Sequence, residues 1–149
     1  MKPIVTWIVV ADGAQAKIFA HDGPGKGLQP LPDLNREQDP LQAREIMADK
    51  PGRSFASAGP GRSSMEYHTD PVEVRERRFV EELAQQLETS RSQGAFQRLV
   101  IAAAPNALGD LRPALSDAVK KTVVAELAKD LTNVPIPKLV EHLDGVIAV

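Results

Sequence analysis

The stretch Leu99–Arg112, LVIAAAPNALGDLR, decides the fold of this chain. Leu99–Ala104 is apolar throughout and runs into Pro105, with the turn former Asn106 next. A short apolar run ended by turn residues reads as a strand buried on both faces, as in the middle of a sheet covered by helices. Asn106, Gly109 and Arg112 follow its carboxyl end, where open α/β sheets often place ligands.

Upstream, Ile4–Ala11 is rich in β-branched residues and reads as a second buried strand. Asp12-Gly13 signals a tight turn, and Ala16–His21 reads as the returning strand of a hairpin. Asp22–Gly27, DGPGKG, is another turn. Gly27–Leu34 can form a third strand, but Pro30 and Pro32 confine it to a sheet edge. Residues 35–70 read as a long mobile loop. In Asp70-Pro71-Val72-Glu73 we read a helix start, and Phe79, Val80, Leu83, Ala84 and Leu87 form a stripe at helical spacing. Gly94 should stop that helix. A short helix is predicted to begin near Asn106 or Asp110, and another over Pro135–Leu143.

Val119–Leu131 is ambiguous. Val119, Val123, Leu127 and Leu131 fit a helix, whereas Thr122-Val123-Val124 fits a strand. The order β-β-β-α-β-α-β-α decides for the strand, because Leu99–Ala104 needs a second neighbour. The prediction is one α/β domain over residues 1–149, a five-stranded mixed sheet ordered 3-2-1-4-5 with helices on both faces.

Composition narrows the function. A chain of 149 residues with 42% apolar content can bury a substantial core. Its net charge of −2 gives no global field to recruit nucleic acid, so RNA contact needs a local patch and DNA binding is not expected. Cysteine is absent from the sequence, which excludes disulfides, thiol nucleophiles and thiolate metal sites. Ile4–Ala11 is too short to span a bilayer and lacks the flanks of a signal peptide. A cytoplasmic protein without membrane contact is expected.

Five segments, taken together, resemble the bacterial host attachment protein family. They are TWIVVADGAQAKIF, GPGRSSMEYHTDP, FVEELAQQL, LVIAAAPNALGDLRPAL and VVAELAKDLT, in this order along nearly the whole chain. The resemblance implies a fold similar to the middle domain of archaeal and eukaryotic class-1 peptide-chain release factors, which is ribonuclease-H-like. In those factors a loop after the third strand carries Gly-Gly-Gln. Here the positional counterpart carries Gly59-Pro60-Gly61-Arg62 instead, which speaks against peptide release.

Asp12 stands where a ribonuclease-H-like nuclease keeps its first metal-binding carboxylate, but Leu99–Ala104 supplies no second one. Asp12 also fits a plain hairpin turn. Lys26 in DGPGKG is followed by Gly27, where a phosphate loop needs Ser or Thr. His21, His68 and His142 have no ligand spacing, so neither metal nor cofactor is expected. Between Lys50 and Met65 the chain has Arg53 and Arg62 and no acidic residue, and Arg75, Arg77 and Arg78 open the next helix. These arginines are a solvated face or a phosphate-contacting patch made of Lys50, Arg53, Arg62, Arg75 and Arg78. Asp12, Asn106, Gly109 and Arg112 form a second candidate site at the strand end. In structural terms, Asn106 would cap a helix, Gly109 would permit close packing and Arg112 would pair with a carboxylate. The expectation is a non-catalytic protein with two candidate partners, the ribosome or RNA on one hand and another protein on the other. Metal-dependent hydrolysis is the weaker alternative.

Overall fold

The computed structural model describes residues 4–38 and 71–147. Strands β1 (Thr6–Ala11), β2 (Gln15–His21), β3 (Gln29–Pro30) and β4 (Arg36–Glu37) come first. Helix α1 (Pro71–Ser92) leads to strand β5 (Arg98–Ala103), helices α2 (Pro105–Ala114) and α3 (Asp117–Lys120), strand β6 (Val123–Leu127) and helix α4 (Ile136–Leu143). The strands form one mixed sheet in the order β3-β2-β1-β5-β6, with β4 also pairing β2. β2 runs antiparallel to β1, while β1, β5 and β6 are parallel. This is the predicted 3-2-1-4-5 order.

The strand count differs from the expected five, because the sheet has six. The prolines explain the change. Pro30 pairs with Phe19 at the edge, and Pro32 opens a 3-10 turn over Pro32–Leu34 that lifts the chain off the ladder. The chain then pairs again, Arg36 with Ala16 and Glu37 with Gln15. Between the two pieces the Asn35 side-chain oxygen accepts from the Ile18 amide at 3.2 Å, standing in for a strand carbonyl. Arg36–Glu37, at the start of the expected loop, is therefore strand at the sheet edge. The rest of the expected mobile loop, residues 39–70, lies outside the described residues.

β1 and β5 are apolar because both of their faces are covered. Trp7, Val9 and Ala11, with Leu99, Ile101 and Ala103, face one core, built with α1, α2 and α3. Ile8, Val10, Val100 and Ala102 face the other, closed by Leu131 and by Leu139 and Leu143 of α4. Strand alternation alone sorts these side chains. The α1 stripe Phe79, Val80, Leu83, Ala84 and Leu87 is buried as its spacing predicts. Gly94, at φ +77°, ends the helix, and the Ala95 amide donates to the Ser90 carbonyl. Phe96 then packs on Trp7 with ring centroids 4.8 Å apart.

Val119–Leu131 resolves as the architecture required. Val119 belongs to α3, and Val123–Leu127 is a strand. The spacing of four does not mark one helical face, since Val119 lies in α3 and Leu131 lies beyond the strand, and Val124 is inserted as a bulge: Leu99 pairs with Val123, but Val100 pairs with Ala125. The bulge leaves Val124 exposed and disrupts the sheet edge, a feature that discourages further strand pairing.

Candidate functional site

The first half of α1 has two polar sides. Arg75, Arg78 and Glu82 recur at intervals of three and four, and so lie along one side of the helix. Glu73, Glu76 and Arg77 share a second side by the same rule. Each side forms the wall of a cleft.

The first cleft lies between α1 and the β4 edge and encloses about 480 Å³. Arg36, Arg75 and Arg78 line it with Glu37, Glu82 and Phe79, and Phe79, almost fully buried, belongs to the core beneath. Among the described residues that line it, three guanidiniums stand against two carboxylates, a formal surplus of +1 in a protein whose net charge is −2. Pairing with Ala16 sets the position of Arg36. Its Nη1 donates to Gln86 Oε1 at 3.2 Å, and its Nη2 lies 3.5 Å from Glu82 Oε1. Arg36 Nε is buried and has no acceptor among the described residues.

The second cleft, of about 430 Å³, lies at the carboxyl ends of β1 and β5. Asp12, Gly13, Glu76 and Asn106 line it, and an adjoining hollow adds Glu73, Arg77, Gly109 and Asp110. Glu76 lies so close over Gly13 that a Cβ there would overlap its carboxylate. Acidic groups dominate, which makes this end of the sheet a poor place for a phosphate.

Asp12 serves as a turn residue. Its Oδ1 accepts from the Ala14 and Gln15 amides at 2.8 Å each. Its Oδ2 is 3.4 Å from the Thr132 hydroxyl, which also bonds Asp130 Oδ1 at 2.6 Å. Asp12 and Asp130 thus meet around one buried threonine. Among the described residues no group of three or more His, Cys, Asp or Glu could hold a metal ion.

The structure brings Asp12, Asn106 and Gly109 together at the strand ends, but not Arg112. Arg112 turns to β6, where Nε and Nη2 bond Glu126 Oε1 at 2.9 and 2.8 Å. Asn106 does not cap α2, because the helix begins one residue earlier, at Pro105, with Ala104 in the cap position. Gly109 is not held by close packing, since a Cβ there meets nothing among the described residues within 4 Å. Of the predicted phosphate patch, Arg75 and Arg78 share the first cleft, while Lys50, Arg53 and Arg62 lie outside the described residues. Sequence reasoning missed Arg36 and Glu82. Arg36 sits in a two-residue strand without periodicity, and only the fold brings it to α1 across a separation of 46 residues.

A further polar cluster joins the helices away from both clefts. Glu88 accepts from Arg91 Nε and Nη2 at 3.0 and 2.8 Å, and from Ser116 Oγ at 2.7 Å. The Arg91 hydrogen bonds, followed by the one from Ser116, hold the Glu88 carboxyl down at about 2, and Glu88 raises the Arg91 pKa above its ordinary value. Ser116 also caps α3, accepting from the Val119 amide. We read the cluster as a structural clip.

Residues 7–143 match the family described as proteins required for attachment to host cells. No curated protein matches the chain. A solved structure described as an archaeal protein is similar over 97% of this chain and 34% of its own length, at 16% identity with a TM-score of 0.49. The crystal structure of the archaeal translation termination factor aRF1 is similar over 95% of this chain and 38% of its own, at 14% identity with a TM-score of 0.45. The chain thus spans little more than a third of the length of these solved structures.

Proposed function

This chain belongs to the family of proteins required for attachment to host cells, and we propose that it acts as an RNA-associated interaction protein rather than as an enzyme. The observation that supports this is the convergence of Arg36, Arg75 and Arg78 on one cleft. Arginine presents a rigid fork of donors that suits phosphate oxygens. A locally basic cleft on a mildly acidic protein favours contact at one place over diffuse adhesion to a polyanion. Among the described residues lining the cleft the one aromatic, Phe79, is buried, so recognition of the RNA backbone suits it better than base stacking. In this reading the protein works in the cytoplasm, on ribosomal or other RNA, and its effect on host attachment is indirect.

Co-sedimentation of the full chain with ribosomes at low and at high salt tests the proposal. The wild type should co-sediment at low salt and lose ribosomes as salt rises, since phosphate contacts weaken with ionic strength. Arg75→Ala with Arg78→Ala should reduce recovery at low salt and flatten the salt dependence by about one unit of slope per lost contact. Equal recovery and slope in the double variant reject the cleft as the contact and favour a protein-interaction module.

A further inference from the structure

Arg36 is held firmly at one end of its guanidinium and loosely at the other. Its backbone is fixed by the β4–β2 pairing. Gln86 bonds Nη1, and Gln86 is itself oriented by donating Nε2 to the Leu34 carbonyl at 3.1 Å. Nη2 faces Glu82 at 3.5 Å, the far limit of a hydrogen bond, and the Glu82 side chain is 60% exposed. A long ion pair with a solvated partner contributes little, because water screens it and both side chains lose freedom to make it. A phosphate oxygen in the same place would make a shorter, charge-assisted bond. It would also feel the Arg75 and Arg78 side chains lining the same cleft.

Resting on the RNA reading above, we propose that Glu82 is a resident competitor for Arg36. When RNA binds, Arg36 Nη2 exchanges the Glu82 carboxylate for a backbone phosphate, and Glu82 swings into solvent. The site thereby becomes a three-arginine phosphate clamp of Arg36, Arg75 and Arg78. The volume of about 480 Å³ falls in the range of small-ligand pockets and has room for a nucleotide unit. Gln86 keeps its bond to Nη1 throughout, so the fork is already positioned when the phosphate arrives. Glu82 has a second effect. It keeps the guanidinium partly neutralised in the free protein, which favours polyanions that can engage all three arginines over single small anions.

Equilibrium binding of fluorescein-labelled oligouridylate to the full chain tests the exchange, across a salt series, for wild type, Glu82→Gln, Arg36→Gln and the double variant. Thermal melting of each confirms folding. Glu82→Gln should bind about twofold to fivefold tighter, the range expected from removing a weak exposed pair. Arg36→Gln should bind more weakly, with its salt slope lower by about one. In the Arg36→Gln background the gain from Glu82→Gln should shrink, as coupled neighbours require. A folded Glu82→Gln variant whose RNA affinity equals the wild type overturns the exchange and leaves the RNA reading standing. A wild type without salt-dependent RNA binding overturns both.

Discussion

At Asp12 one oxygen holds two turn amides, and the other faces a buried hydroxyl shared with Asp130. A carboxylate committed in this way shapes a hairpin. Asp12→Asn retains an acceptor for Ala14 and Gln15, so its chemical-denaturation midpoint should lie close to that of the wild type. Asp12→Ala removes that acceptor and should cost about 1 kcal/mol. RNA incubated with magnesium or manganese should stay intact with the wild type and with Asp12→Asn alike. Cleavage by the wild type that Asp12→Asn abolishes would contradict the turn role and restore the hydrolase reading. Asp12 was legible in the sequence as a turn because Asp-Gly between apolar strands carries its own local geometry. Its link to Thr132 was not, because only the finished sheet brings residues 120 positions apart together.

At the scale of elements, the clip between α1 and α3 should make a pH-dependent contribution to stability. The folded-state pKa of Glu88 is depressed to about 2 from an ordinary 4.5. A depressed carboxyl stabilises the fold fully above the ordinary value, and this contribution fades as pH falls through the interval towards the folded value. The stability difference between wild type and Glu88→Gln should therefore be largest at neutral pH. It should decline between about pH 4.5 and about pH 2, followed by denaturation at a series of pH values. A difference independent of pH would remove Glu88 from this role.

The elements also show what sequence patterns can carry. β1, β5 and α1 were legible because periodicity and an apolar run each leave a signature. β6 was legible only through topology, since Val119, Val123, Leu127 and Leu131 recur at a helix-like spacing although only Val123 and Leu127 lie in the strand. β4 had no signature at all, being two polar residues long. The cleft was half legible for the same reason. Arg75 and Arg78 share a helix side by spacing, whereas Arg36 reaches them only through that unpatterned strand.

For the whole molecule, the central strands tie two cores together. Because β1 and β5 send alternate side chains to each face, damage on one face should be felt by the entire described fold. Leu83→Ala opens a cavity under α1, and Leu139→Ala opens one under α4, since both leucines are fully buried. Each should cost about 2–5 kcal/mol. Each should lower the midpoint of a single cooperative transition, observed by circular dichroism and by Trp7 fluorescence in parallel. Separation of the two signals in Leu139→Ala would mean that the α4 face unfolds on its own.

The charge distribution also belongs to this scale. The described residues make an acidic cleft at the strand ends and a basic one beside β4, so under the proposed RNA association an RNA should approach from one direction. Photocrosslinking to RNA containing 4-thiouridine, with adducts mapped by mass spectrometry, locates the side from which RNA docks. Adducts should fall on Asn35–Gln38 and on the Arg75–Glu82 side of α1, and should be lost together in Arg75→Ala with Arg78→Ala. Adducts concentrated on Pro105–Asp110 or on α4, or unchanged in that double variant, would contradict that placement.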